Sequence, residues 1–430
     1  MRCPLTCTFS LSGVRASRSP VTACFRLLMA LIWSVAFVGA TASAQTWVRD
    51  TMRDPTAVTA AVATPAQNDR GPAGLQGTLS AEVGLEYTDN ARLTTDGEDA
   101  LALVLGLKVG LDMPLTEQNQ FHLQVAGTRR IYLDGPDGLH SYQSIAPGSD
   151  LGFDVFVGRA KIRTFVSASL QEDPIESVVI SQTDRFGRLN IDAGAQLDWD
   201  MNRVVLQGMV LYGWQDQTAG GNGLDAKRRA VSLQPYFPLG KGGGWGVSLS
   251  ASDLDYDLAQ QNDSHSESVG VFLQHLISRQ MRFMAEAGVQ RSSFDRDGSI
   301  NDNEDFSGAY GSLRFDHQVR RALRYTVIAA QEVQDGIGTN FYEIRSIRVA
   351  PQLALWRQSH LDCMWLWERI HESGSFGESA TRQTLQARLQ RPLSSRLEAS
   401  LEWRWVDKRS DIAARSYTRN RIAIFVQYSL

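Results

Sequence analysis

From Gly77 onward the chain is built of short segments in which apolar and polar residues alternate with a period of two, the signature of strands with one apolar face. Leu101, Leu103, Leu105, Leu107, Val109, Leu111 and Met113 share one face. Leu189, Ile191, Ala193, Ala195, Leu197 and Trp199 alternate with Asn190, Asp192, Gly194, Gln196 and Asp198. Leu397, Ala399, Leu401, Trp403 and Trp405 alternate with polar residues. A helical reading of this stretch would put its two tryptophans on different faces. Eighteen such segments are counted, centred near residues 83, 106, 126, 152, 166, 195, 209, 232, 249, 271, 286, 311, 328, 350, 365, 387, 401 and 424. Those near 209, 271 and 311 fit either parity.

The connections alternate in length. Stretches such as QEDPIESVVISQTDRFG and SFDRDGSINDNEDFSG are long, whereas VGRA, DMNR and HQVRRA are short. A meander with long connections at one end and tight ones at the other predicts an all-β, transmembrane, antiparallel up-and-down barrel of about 18 strands. Nine long loops would face outside and eight short turns the periplasm, with both termini periplasmic. A propeller would repeat a blade motif, and a sandwich would not sort its connections by length. The last segment, RIAIFVQYSL, alternates up to Leu430, which suits a strand that closes the ring against the first.

Residues 1–44 read as a secretory signal: Arg2, Arg15, Arg18 and Arg26 precede the apolar LLMALIWSVAFVGA and an Ala42-Ser43-Ala44 cleavage site. Residues 45–76 read as a flexible periplasmic tail, and 77–430 as the barrel. The whole chain carries a net charge of −4; without the four signal arginines, 39 basic face 47 acidic residues, which excludes a nucleic-acid partner. Of four cysteines only Cys363 lies beyond the signal, so an intramolecular disulfide framework is excluded and barrel closure must supply the stability.

The two faces carry different chemistry. Trp199, Trp214, Trp245, Trp365, Trp367, Trp403, Trp405, Tyr417 and Tyr428 are assigned to aromatic girdles against outer-membrane lipid. Strand parity turns Lys161, Arg163, Arg188, Asp192, Arg282, Glu286, Arg324, Glu332, Arg348, Glu368, Arg388, Glu398, Glu402, Arg404 and Arg421 inward. Facing lipid at the midplane, an Arg or Lys costs about 2–4 kcal/mol, so these groups line water or brace one another. Both signs are mixed, which announces no strong ion selectivity. The apolar SVVIS, with Val178, Val179 and Ile180, is unfavourable in an external loop. Folding it into the lumen as a constriction relieves this, as does packing against other loops.

Other chemistry is sparse. DRDGSINDNED (295–305) offers oxygens suited to calcium but not the full loop pattern, so no metal is assigned. GKGGG (240–244) lacks phosphate-loop spacing and reads as a tight turn. His371 and Ser373 fall on one predicted face near the rim, a pattern compatible with lipid deacylation. No third group orients the histidine, so no catalytic residue, enzyme activity or cofactor is assigned. Cys363 falls on the lipid face.

GLEYTDNARL (84–93), DRFGRLNIDAGAQLDW (184–199) and RIAIFVQYSL (421–430) resemble outer-membrane proteins of the β-barrel porin 2 type. The last stretch also resembles the C-terminal signal read by the barrel-assembly machinery, with Leu430 where that signal usually has Phe. The resemblance implies a Gram-negative outer-membrane channel that passes a polysaccharide or its fragments beside periplasmic export components. A general diffusion porin and a plugged barrel acting through adhesive loops are the alternatives.

Overall fold

The computed structural model describes residues 75–116, 118–172, 187–219, 224–375 and 377–430. The signal and tail segments lie outside the described residues, as do Val178, Val179 and Ile180. Eighteen strands follow one another: β1 (Gln76–Thr88), β2 (Ala100–Thr116), β3 (Asn119–Asp134), β4 (Tyr142–Val157), β5 (Ala160–Gln171) and β6 (Gly187–Asp200). Next come β7 (Val205–Ala219), β8 (Ala226–Pro238), β9 (Gly243–Tyr256), β10 (Ser264–Ser278), β11 (Met281–Phe294) and β12 (Phe306–Arg320). The last six are β13 (Leu323–Asp335), β14 (Phe341–Ala354), β15 (His360–Glu372), β16 (Ser379–Pro392), β17 (Leu397–Ser410) and β18 (Tyr417–Ser429).

Each strand pairs antiparallel with its sequence neighbours, and β18 pairs with β1 from Ser80↔Ser429 to Thr88↔Arg421. The sheet is therefore a closed up-and-down barrel without an edge. Even the last residue is used, since the Leu430 N–H donates to the Leu79 carbonyl at 2.8 Å.

Closure follows from the alternation. Leu79, Val83, Leu85 and Tyr87 of β1, Leu101, Leu105 and Leu107 of β2, and Ile422, Ile424 and Val426 of β18 are exposed on the outside. In water this apolar surface would be unfavourable; against lipid it is what the wall requires. No helix among the described residues is long and apolar enough to cross a membrane, so crossing falls to the strands.

Eight connections at one end are short turns, such as 158–159 between β4 and β5, and the nine at the other end are longer on the whole, reaching residues 172–186 between β5 and β6. The loops are shorter than the alternation predicts, because the strands run on beyond the apolar band. There the outer face carries ion pairs instead, such as Arg229–Asp255 at 3.0 Å. Between Gln124↔Asp150 and Gly127↔Ile145 the β3–β4 register slips around Pro147, which has no N–H to give the ladder. The Ser149 hydroxyl accepts the stranded Ala126 N–H at 3.1 Å.

Candidate channel lumen

The inward face is the candidate site, and register brings its charges together. Arg421 of β18 pairs with Glu402 of β17, and across the β18–β1 seam its Nη1 lies 3.7 Å from Glu86. Glu86 also accepts from Arg130 of β3 at 2.9 Å, and Arg388 lies 3.6 Å from Glu82. Arg382 donates to Glu368 at 2.7 Å, Gln390 to Glu398 at 3.1 Å, and Arg419 to the Thr88 hydroxyl at 2.8 Å. A second group joins β3, β4 and β5, where Lys161 pairs with Asp154 at 2.8 Å and Arg163 with Asp150. His122 lies between these two carboxylates, at 3.7 and 3.9 Å.

On β6–β8 the arrangement is less paired. Arg188 donates to Gln215, and the Asp192 carboxylate lies over Gly213, whose missing side chain leaves the room. Asp192, Gly213 and Arg228 form one row of the ladder. Arg228 is buried, yet its Nε and Nη2 have no hydrogen-bond partner.

Of the other residues predicted inward, Glu286 accepts from Ser248 at 3.1 Å and Glu332 from Gln334 at 3.0 Å. Arg324 is close to Asp316, which Arg314 and Thr326 already hold at 2.9 and 2.6 Å. Arg282, Arg348 and Arg404 take inward positions by register with Asp316, Leu366 and Gln386. Glu82, Glu86, Arg130, His122, Arg228, Arg382 and Arg419 share the face and were not selected from the sequence, although parity alone marks them.

The loop end is tied together by buried polar contacts. Asn262 donates to Asn340 at 2.9 Å; the Asn340 N–H and the Ser373 hydroxyl both donate to Asp302 Oδ2, at 2.8 and 2.6 Å. Four loops (257–263, 295–305, 336–340 and 373–378) are thereby interlocked. Beside them Lys408 Nζ and Glu378 Oε1 are 3.0 Å apart with both side chains at 0% exposure, and Arg415 reaches Glu372 at 3.0 Å and Glu378 at 3.2 Å. The oxygens of 295–305 serve these contacts: besides Asp302, Asp305 accepts the Phe294 N–H at 2.9 Å. No cluster of three or more metal-capable side chains occurs among the described residues.

One sequence expectation is corrected. Tyr417 is not a girdle residue. It shares the inward face of β18 with Arg419 and Arg421, is 3% exposed, and packs on Leu93 and Val406. His371 and Ser373 do not form a pair. His371 is exposed with Nδ1 at 3.1 Å from Ser379, while Ser373 is buried and committed to Asp302, Thr339 and the Phe341 N–H. The remaining girdle positions face outward: Trp199, Trp245 and Tyr428 towards the turn end, Trp214, Trp367 and Trp405 towards the loop end, Trp365 and Trp403 between. Phe237 stacks on Trp245 at 4.6 Å, and Trp356, 72% exposed on a turn, is an aromatic that strand parity could not place. Cys363 is a free thiol on the outer face of β15, and Gly240 takes φ +69° in its turn.

No family model matches the sequence, and no curated protein does. Among solved structures the barrel is similar to a BenF-like porin from Pseudomonas fluorescens Pf-5, at 12% identity over 83% of this chain and 99% of that one, with a TM-score of 0.49. Acinetobacter baumannii OccAB3 gives 12%, 83%, 99% and 0.48. Pseudomonas aeruginosa OprD gives 11%, 83%, 95% and 0.45. At such identity no cargo is transferred from them; the fold rests on the register above.

Proposed function

We propose that this protein is an outer-membrane channel through which small hydrophilic solutes pass by diffusion, with the short turns and both termini on the periplasmic side. The observation that carries the reading is the division of one wall into an apolar outside and an inside lined by ionised side chains held in place by one another. An ionised lining is tolerable in a membrane only against water or counter-charge, and a water-filled lumen is a passage. Nothing in the wall couples to an energy source. Polymer export, implied by the β-barrel porin 2 resemblance, has less support: four loops at the end by which a polymer would leave are tied to one another by buried polar contacts.

Purified protein in a planar lipid bilayer tests the reading. Stepwise ion conductance is expected, with a reversal potential under a salt gradient that shows weak preference between ions, since both signs line the wall. A protein that inserts yet stays silent at all voltages is a plugged barrel and contradicts the proposal.

A further inference from the structure

The lumen wall over β8–β12 carries a feature that ion-pair bracing does not use. Phe272 of β10 lies flat across β9, where a Cβ on Gly246 would collide with its ring. Tyr310 of β12 lies across two strands: its ring covers Gly288 of β11 and its hydroxyl covers Gly270 of β10. Tyr236, buried, is parallel to Phe272 with 6° between the planes and 6.1 Å between centroids. Register puts Phe272 beside Gly246 and Glu286, and Tyr310 in the adjacent row with Gly288, Gly270 and Ser248. Glycine at these positions is what lets the rings lie against the wall rather than stand out from it. Phe272 and Tyr310 thus form a flat aromatic strip on this part of the lumen wall, backed by the buried Tyr236.

Hydrogen-bonding groups border the strip. The Ser248 hydroxyl donates to Glu286 Oε1 at 3.1 Å and lies 3.2 Å from the Tyr310 hydroxyl. Glu286 has no cation within ion-pair distance and no partner for its Oε2 among the described residues, unlike Glu86 and Glu402, which Arg421 approaches.

We propose that this strip is a binding subsite for a neutral saccharide unit. A pyranose has an apolar face of C–H bonds that packs on a flat ring, and a rim of hydroxyls that donate to a carboxylate and exchange bonds with Ser and Tyr hydroxyls. The uncompensated Glu286 disfavours an anionic sugar. An organic cation would suit the carboxylate, but rings laid side by side along a wall do not enclose a charge as a cage does. The subsite names a solute class for the channel and rests on the reading of the barrel as open.

The test uses the full barrel in a planar bilayer with maltohexaose or cellohexaose as probe. At least one of the two glucans interrupts the current of the parent protein in resolved events. Phe272→Ala and Tyr310→Ala shorten the events about five-fold, in keeping with the loss of one stacking contact. Phe272→Trp, which keeps a ring, retains them, and Glu286→Gln weakens them without changing ion conductance much. Normal conductance with neither glucan interrupting it, or interruption by tetraethylammonium alone, overturns the subsite and leaves the channel standing. Events unchanged in both alanine variants overturn it equally. A protein that conducts nothing overturns both.

Discussion

At the scale of the residue, the paired charges do two jobs that substitution can separate. Lys408 and Glu378 are at 0% exposure, so removing the Glu378 carboxylate takes from Lys408 its 3.0 Å counter-charge in a buried site, and breaking such a pair costs about 3–5 kcal/mol. Glu378→Gln is therefore expected to lower the temperature at which the folded band is lost in heat-modifiability gels. Glu378→Gln with Lys408→Met, which removes both charges, is expected to recover most of that loss. Arg228 is the opposite case, a buried guanidinium with two N–H groups unbonded. Arg228→Ala should shift the reversal potential towards cation preference, because it takes positive charge from the inward face without breaking a hydrogen-bonded ion pair; an unchanged reversal potential would place Arg228 outside the ion path. The face of each such residue was readable from parity, but the partners were not. Glu86 and Arg130 are 44 positions apart, and only register brings them within 2.9 Å. Tyr417 shows how a good rule misleads: an aromatic near a strand end suggests a girdle, yet its parity with Arg419 and Arg421 points inward.

At the scale of the element, the strands were legible where the two faces contrast. In β2 the outer row is leucine almost throughout, and the alternation is plain. In β7 Met209 and Leu211 face inward and pack with Phe165, so both faces are apolar and the period disappears. Glycines at inward positions of β10 and β11 erase it in another way, because a glycine signals neither face. Lipid and water make opposite demands on neighbouring positions of one strand. Leu107→Arg, on the outer face of β2, should cost about 2–4 kcal/mol if it sits near the midplane and should reduce the assembled fraction in outer-membrane preparations. Gly106→Ser, one residue away on the inner face, should assemble normally. The seam is the most sensitive pairing: a Cβ at Gly84 would collide with Phe425 and the Ile424 carbonyl. Gly84→Val is expected to leave β18 unpaired with β1 and to abolish the heat-modifiable species; normal assembly would show the seam to be more tolerant than this packing implies.

At the scale of the whole molecule, one alternation repeated eighteen times closes into a ring whose backbone groups pair within the wall and whose apolar face lies outside. The loop network could not be read from the sequence: Asn262, Asp302, Asn340 and Ser373 come from four loops and meet only once the ring is closed. Most direct is a scan of single cysteines, on a Cys363→Ala background, through β2 and β18 of the reconstituted protein with a charged thiol reagent. Inward positions that are not buried, 106, 108, 110 and 427, are expected to react and change the conductance, while 105, 107, 422, 424 and 426 stay silent. Reactivity without a period of two, or reaction at the second set alone, would contradict a wet inside and a lipid-facing outside.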